Sequence, residues 1–128
     1  MFKGFLLCGA IGWIMEVVWT GVWSLINGNM RMMSTTSLIM FPIYGAIILL
    51  KPLYELMFDL PIFLRGGIYV VFIFIAEYFF GVILTKAGIC PWNYSDARFN
   101  VNGLIRLDYA PAWFAAGLIF ETLVFARA

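Results

Sequence analysis

Four long apolar runs, separated by more polar connections, make up most of the chain. A helix that spans a membrane needs roughly 20 mostly apolar residues. Runs of about that length cover residues 4–26, 37–58, 65–86 and 109–127. The pattern predicts an all-α integral membrane protein. We expect a single domain over residues 1–128, built as a bundle of four transmembrane helices.

The composition favours the same class of protein. Hydrophobic residues make up 64% of the chain and charged residues 12%, whereas a soluble domain has about 45–50% apolar and about 25% charged residues. The net charge of +1 gives no attraction to nucleic acid, and the absence of histidine removes the commonest metal ligand. Cys8 and Cys90 are predicted near opposite membrane faces, so we expect two free thiols. We expect a multi-pass protein that is located in the bacterial plasma membrane.

The connection between the third and fourth spans, residues 87–108, is long for so small a protein. Long loops in compact domains are usually functional or disordered. This loop places Trp92, Tyr94 and Phe99 among polar residues, and aromatic rings anchor in the interface between membrane and water. We therefore predict an ordered interfacial loop that caps the bundle. Part of it could re-enter the membrane only where protein shields its backbone.

The positive charges leave the membrane orientation open. Four spans place both termini on one side, and the Lys and Arg residues then divide evenly between the two faces. One face would carry Lys3, Lys51, Arg65 and Arg127, and the other Arg31, Lys86, Arg98 and Arg106. An even division permits insertion in both directions, so we expect a homo-oligomer, with an antiparallel dimer as one form.

Three glutamates lie inside the predicted spans: Glu16, Glu77 and Glu121. A charged carboxylate at the bilayer centre costs about 2.5–3.5 kcal/mol on insertion scales. Each of the three has a glycine one helical turn away, and small residues let helices approach closely in lipid. We therefore expect the glutamates to face the bundle interior around a shared polar space. Aromatic side chains that would shape this cavity are Trp13, Trp19, Tyr44 and Trp92.

Two interpretations of the glutamates stay open. In the first, each carboxyl group hydrogen-bonds across a helix interface and only fixes the bundle. In the second, the carboxyl groups bind protons, a cation or a polar headgroup, because ionisable residues within membranes usually serve function. The sequence contains no metal-ligand motif and no cofactor motif.

The loop arginines, Arg98 and Arg106, are candidates for binding an anionic lipid headgroup. A simple surface ion pair between Arg106 and Asp108 is the structural alternative, and it would contribute little. No nucleophile elbow or hydrolase motif is present in the sequence, so we do not expect an enzyme. An intramembrane enzyme acting on lipid, with Asp96 or Asp108 and a glutamate as acid and base, is a third hypothesis.

Four stretches of the sequence together resemble one known family. They are GAIGWIMEVVW in the first span, SLIMFPIYGA in the second, CPWNYSDARFNVNGLIRLDYAPAW from the third loop into the fourth span, and GLIFE near the end. This set resembles the type IV ABC-transporter permease (CmpB-like) family, which includes the transmembrane protein 229 group. The resemblance implies a multi-pass, permease-like protein. Because the sequence has no ATP-binding motif, an ATPase would be a separate partner. The first span is also similar to that of small multidrug transporters, which carry a glutamate there.

We expect a small transport protein that binds a cationic or amphipathic solute. Glu16 and Glu77 would compensate the charge of the solute or carry a proton, and Glu121 would help to shape the cavity. The alternative is a lipid-binding or accessory subunit without transport activity of its own, in which Arg98 and Arg106 bind headgroups and the glutamates hold structure.

Overall fold

The computed structural model describes residues 2–126, and most of them are helical. In chain order the elements are α1 (Phe2–Ile26), α2 (Met40–Gly45), a 3-10 helix (Ala46–Leu50), α3 (Lys51–Met57), α4 (Ile62–Lys86), β1 (Asn100–Val101), β2 (Ile105–Arg106), a second 3-10 helix (Leu107–Tyr109), α5 (Ala110–Phe120) and a π-helix (Glu121–Phe125). Arg127, which ends the predicted fourth span, lies outside the described residues.

Among residues 2–126, three helices are long and apolar enough to cross a membrane: Phe2–Ile26, Met40–Met57 and Ile62–Lys86. They correspond to the first three predicted spans, so the prediction of a helical membrane protein is confirmed. The fourth helix is shorter than predicted, because α5 has 11 residues and the π-helix that continues it has 5. A complete fourth crossing therefore stays a prediction.

Two prolines divide the second span into short helices. Pro42 lies in the first turn of α2 and Pro52 in the first turn of α3. In a first turn, the backbone N–H that proline lacks has no helical partner to lose. Between the two helices the chain narrows to the 3-10 helix. Helix in the span predicted over residues 37–58 thus begins at Met40, and its geometry changes twice along the span.

The first of two compact units ends at Lys51, and in it α1 packs on α2 through glycines. A Cβ atom added at Gly12 would meet the ring of Tyr44, and one added at Gly9 would lie 2.8 Å from the ring of Phe41. Only residues without a side chain allow this approach. The small-residue face predicted for the first span is therefore the face that α1 buries.

The second compact unit begins at Pro52, and in it α5 packs on the first part of α4. A Cβ atom added at Gly117 would lie 2.6 Å from Cβ of Tyr69, and one added at Gly66 would meet the ring of Phe114. These close contacts bring the two helix backbones together. They leave the later part of α4 to be met by the loop that precedes α5.

That loop contains a small hairpin, β1 and β2, which pair antiparallel. The turn between the strands includes Asn102 and Gly103, whose φ angles are 54° and 71°. Asn and Gly tolerate positive φ better than other residues. An Asn-Gly pair between two β-favouring stretches is a recognised hairpin signal, and our sequence analysis did not use it.

The hairpin packs along the later half of α4. Asn102 donates a hydrogen bond to the hydroxyl of Tyr78 over 2.8 Å, and the side chain of Leu104 packs over Gly81. Tyr78 lies about 12 Å before Lys86 along the helix axis, at 1.5 Å per residue. The loop therefore reaches alongside the part of α4 that is apolar enough to span a membrane.

Candidate functional site

Glu77, on the later half of α4, has an incompletely satisfied carboxyl group. The hydroxyl of Tyr94 donates to Oε2 of Glu77 over 3.3 Å, which is long beside the usual distance of about 2.7–2.8 Å for such bonds. The other oxygen, Oε1, is buried and has no hydrogen-bond partner among residues 2–126. A buried acceptor without a partner costs about 1–3 kcal/mol. Oε1 therefore has an unused capacity to accept a hydrogen bond.

The hairpin holds Tyr94 in this position. The backbone N–H of Tyr94 donates to the carbonyl oxygen of Gly103 over 2.9 Å. Its ring meets the ring of Tyr109 edge to face, with centroids 5.7 Å apart. Glu77 thus receives its hydrogen bond from a loop residue. Gly103 and Tyr109 hold that residue, Tyr94, in position.

Trp92, a site residue predicted from the sequence, is bonded to the turn of the hairpin. Its indole N–H donates to the carbonyl oxygen of Leu104 over 2.9 Å. Leu104 in turn packs over Gly81, one helical turn beyond Glu77. Trp92 therefore supports the loop that faces Glu77.

An open apolar groove of about 500 Å³ runs beside the hairpin. It is lined by α4 side chains between Phe74 and Ile83 and by Ile105 of β2. Tyr78 belongs to this lining and follows Glu77 directly in the sequence. Glu77 itself is not among the residues that line this groove.

The two loop arginines have different surroundings. Nε of Arg106 donates to both carboxylate oxygens of Asp108, over 2.8 and 3.1 Å, and its guanidinium lies 4.5 Å from the ring centre of Tyr109. The Arg106 guanidinium holds the pKa of the Asp108 carboxyl below its usual value. The exposed Arg98 stacks over the ring of Phe99 at 5.4 Å. The surface ion pair of Arg106 is therefore present, whereas Arg98 presents its charge at the loop surface.

Glu121 occupies a different kind of site, at the start of the π-helix. Two nitrogens of Arg65 donate hydrogen bonds to the Glu121 carboxylate: Nε to Oε1 over 2.7 Å, and Nη2 to Oε2 over 3.1 Å. The hydroxyl of Tyr69 adds a hydrogen bond to Oε1 over 2.9 Å. The remaining terminal nitrogen of Arg65 donates to the carbonyl oxygens of Phe58 and Leu60. Both carboxylate oxygens of Glu121 are therefore occupied by the protein itself.

We did not predict this pairing, because we considered the charge of Arg65 only for membrane orientation. Arg65 lies at the beginning of α4 and Glu121 near the end of the last helical segment. Neighbouring antiparallel helices bring such positions together, so the charge signs alone could have suggested the contact.

Glu77 and Glu121 do not share a site. Glu121 is bound at Arg65, and Glu77 lies twelve residues further along α4, about 18 Å away along the axis at 1.5 Å per residue. The expected convergence of these two carboxyl groups on one polar space was therefore wrong. Helical spacing fixed which face each glutamate occupies, but it did not fix the level at which α5 meets α4.

Glu16 lies in the first unit and has two hydroxyl partners. Tyr44 donates to its Oε2 over 2.7 Å, and Thr36 donates to its Oε1 over 3.0 Å. Tyr44 is the side chain that packs against Gly12, one turn before Glu16. The tyrosine predicted to shape a cavity is thus a direct partner of the glutamate.

The tryptophans of α1 pack locally. Trp13 donates its indole N–H to the carbonyl oxygen of Ser37 over 2.9 Å and meets Phe41 edge to face at 4.7 Å. Trp19 and Trp23 meet edge to face at 6.1 Å. The contacts of Trp13 tie the first span to the segment that follows it, whereas the contact between Trp19 and Trp23 lies within α1.

A family model described as "Putative ABC-transporter type IV" matches residues 4–127. The match covers nearly the whole sequence, so the chain belongs to this family, as its motifs indicated. No solved structure matches the chain. Together with the three apolar helices, the match identifies a membrane protein of an ABC-transporter-related family.

Proposed function

We propose that this protein transports a cationic or amphipathic solute, and that Glu77 is the group that binds it. The unpartnered Oε1 of Glu77 is the observation that carries this proposal. Both oxygens of Glu16 and both oxygens of Glu121 accept hydrogen bonds within the chain. In this proposal Glu16 and Glu121 stabilise the fold, and Oε1 of Glu77 remains available to accept a hydrogen bond from a ligand.

Electrostatics supports a cation as the ligand. An unpaired carboxylate within a membrane is costly in free energy. Glu77 avoids this cost either by binding a proton, which makes it neutral, or by binding a cation, which compensates its charge. The two ligands exclude each other at one oxygen. Binding of the solute would therefore release a proton, which couples the two movements by charge.

The loop supplies a route to Glu77. Non-helical backbone at membrane depth is tolerated where it is shielded by protein or lines a water-filled cavity. The hairpin meets α4 at the level of Tyr78, and Asn102, at its turn, is exposed. We propose that this polar segment admits water and solute, while the neighbouring apolar groove accepts the apolar part of an amphipathic solute.

Isothermal titration calorimetry on the purified protein in lipid nanodiscs tests this function, with benzylammonium as the titrated cation. Replacing Glu77 by Gln is expected to weaken binding by about tenfold or more, because a hydrogen bond to a charged group contributes about 1.5–3 kcal/mol. Glu16→Gln is the matched control, since it makes the same chemical change where both oxygens are already bonded.

The control should bind benzylammonium within about twofold of the unchanged protein, a difference smaller than one hydrogen bond contributes. Equal binding by Glu77→Gln and by the unchanged protein would contradict the proposal.

Exposed Arg98 favours a second candidate function, an accessory subunit that binds anionic lipid. Its guanidinium stacks on Phe99 and faces the loop surface, whereas Arg106 is already paired with Asp108. Titration of the detergent-solubilised protein with a water-soluble, short-chain anionic phospholipid would test this function. Loss of association on Arg98→Ala, with no loss on Glu77→Gln, would favour this function over transport.

A further inference from the structure

We infer that the Glu77 site selects cations that carry an N–H group, meaning protonated primary, secondary and tertiary amines, over quaternary ammonium ions. This inference rests on the proposed function and specifies its substrate class. It follows from the chemistry of the free oxygen at the site, Oε1 of Glu77, and from the way Tyr94 approaches the other oxygen.

The free oxygen requires a donor rather than only a positive charge. A carboxylate oxygen only accepts hydrogen bonds, and a buried acceptor is satisfied only when a donor points at it. A protonated amine brings charge and donor together, which makes the stronger, charge-assisted kind of hydrogen bond. A quaternary ammonium ion brings charge but no donor, so Oε1 would stay unpartnered beneath its methyl groups.

The aromatic groups near Glu77 do not compensate for that loss. Quaternary ammonium ions are recognised by the faces of aromatic rings. At Glu77, however, Tyr94 presents its hydroxyl to the carboxylate, and its ring meets Tyr109 edge to face. The hydroxyl of Tyr94, rather than its ring face, therefore approaches the carboxyl group.

One N–H group is enough to satisfy the site. Oε2 already accepts the hydroxyl of Tyr94, so the ligand needs to reach only Oε1. A tertiary amine, with one N–H, should therefore bind about as well as a primary amine with three. The affinity should fall in one step, between the tertiary amine and the quaternary ion.

Three benzyl cations of equal charge test this step in the calorimetric titration near neutral pH: benzylammonium, benzyldimethylammonium and benzyltrimethylammonium. The first two should bind within about threefold of each other, and the third about tenfold or more weakly, as expected for one lost charge-assisted hydrogen bond. In Glu77→Gln the step should disappear.

Each other result overturns the inference in a distinguishable way. Equal binding of all three cations would show that water, rather than the ligand, satisfies Oε1, and the proposed function would stand. An even decline with each added methyl group would show selection by size, again without harm to the proposed function. Failure of all three to bind would remove the proposed function together with the inference.

Tyr94→Phe provides a second measurement that a merely structural role would not reproduce. Removing the hydroxyl frees Oε2, so two acceptors then face the ligand. A primary amine can satisfy both and a tertiary amine only one. The primary amine should gain a preference of about threefold to tenfold over the tertiary amine, the range for one weak hydrogen bond. An unchanged ratio in this variant would contradict the assigned role of Tyr94.

Discussion

Two glutamates on neighbouring parts of one unit differ in how completely the protein satisfies them. Glu121 accepts two hydrogen bonds from Arg65 and one from Tyr69, and all three residues lie on helices. Glu77 receives one long hydrogen bond from a loop residue and keeps a buried oxygen free. The comparison teaches that the chain can satisfy one glutamate of an apolar helical segment fully and another only in part, and that the type of residue alone does not decide between the two cases.

The largest difference should appear when each carboxyl group is removed. Glu121→Leu strands the Arg65 charge, and breaking a buried ion pair from one side costs about 3–5 kcal/mol. Glu77→Leu removes an unsatisfied acceptor and should leave the free energy of unfolding unchanged or slightly higher. Equilibrium unfolding in mixed micelles measures both values.

The double variant Arg65→Met with Glu121→Leu serves as the control, since it removes the whole pair and should recover most of the loss. Equal destabilisation by Glu77→Leu and Glu121→Leu would show that the two sites do not differ as described.

Helix contact beside each glutamate provides the next comparison. An added methyl group at Gly117 meets Cβ of Tyr69, which cannot move without the helix backbone, and should cost about 2 kcal/mol by overpacking. An added methyl group at Gly81 meets the far end of the Leu104 side chain, which can change rotamer. We expect less than about 1 kcal/mol for Gly81→Ala in the same unfolding measurement. A larger loss at Gly81 would mean that the loop is held as rigidly as α5.

The tyrosines that donate to Glu121 and to Glu77 offer a finer comparison. Tyr69→Phe removes a 2.9 Å bond to a carboxylate already paired with arginine and should cost about 1.5 kcal/mol. Tyr94→Phe removes the 3.3 Å bond to Glu77, and we expect about 0.5 kcal/mol or less. If the two variants lost equal stability, Tyr94 would hold the fold as firmly as Tyr69 does.

The smallest effect concerns the exposed pair of Arg106 and Asp108. The pKa of Asp108 is lowered in the folded protein, so the pair stabilises the fold above the ordinary carboxyl pKa of about 3.9. This contribution is lost as the pH falls through the lowered folded value. The unfolding temperatures of the unchanged protein and Asp108→Asn should differ slightly at neutral pH and converge in acid. A difference that persists in strong acid would have another cause.

Sequence patterns predicted the helices and the family well, but they predicted the sites only in part. Hydrophobic runs identified the three apolar helices, and glycine spacing identified the face of α1 that packs. Spacing within one helix could not reveal that Glu121 meets α4 at Arg65, and this register separates Glu77 from Glu121. The hairpin at Asn102 was readable from turn chemistry, whereas the orphaned oxygen of Glu77 depends on three-dimensional packing.

Infrared difference spectroscopy on the nanodisc-embedded protein tests the role of Glu77 most directly. Addition of benzylammonium should remove one band of a protonated carboxylic acid and create a carboxylate band, because the cation takes the place of the proton. This pair of bands should be absent in Glu77→Gln and retained in Glu16→Gln. The same pair of bands in Glu77→Gln, or its loss only in Glu16→Gln, would contradict the assignment of Glu77 as the binding group.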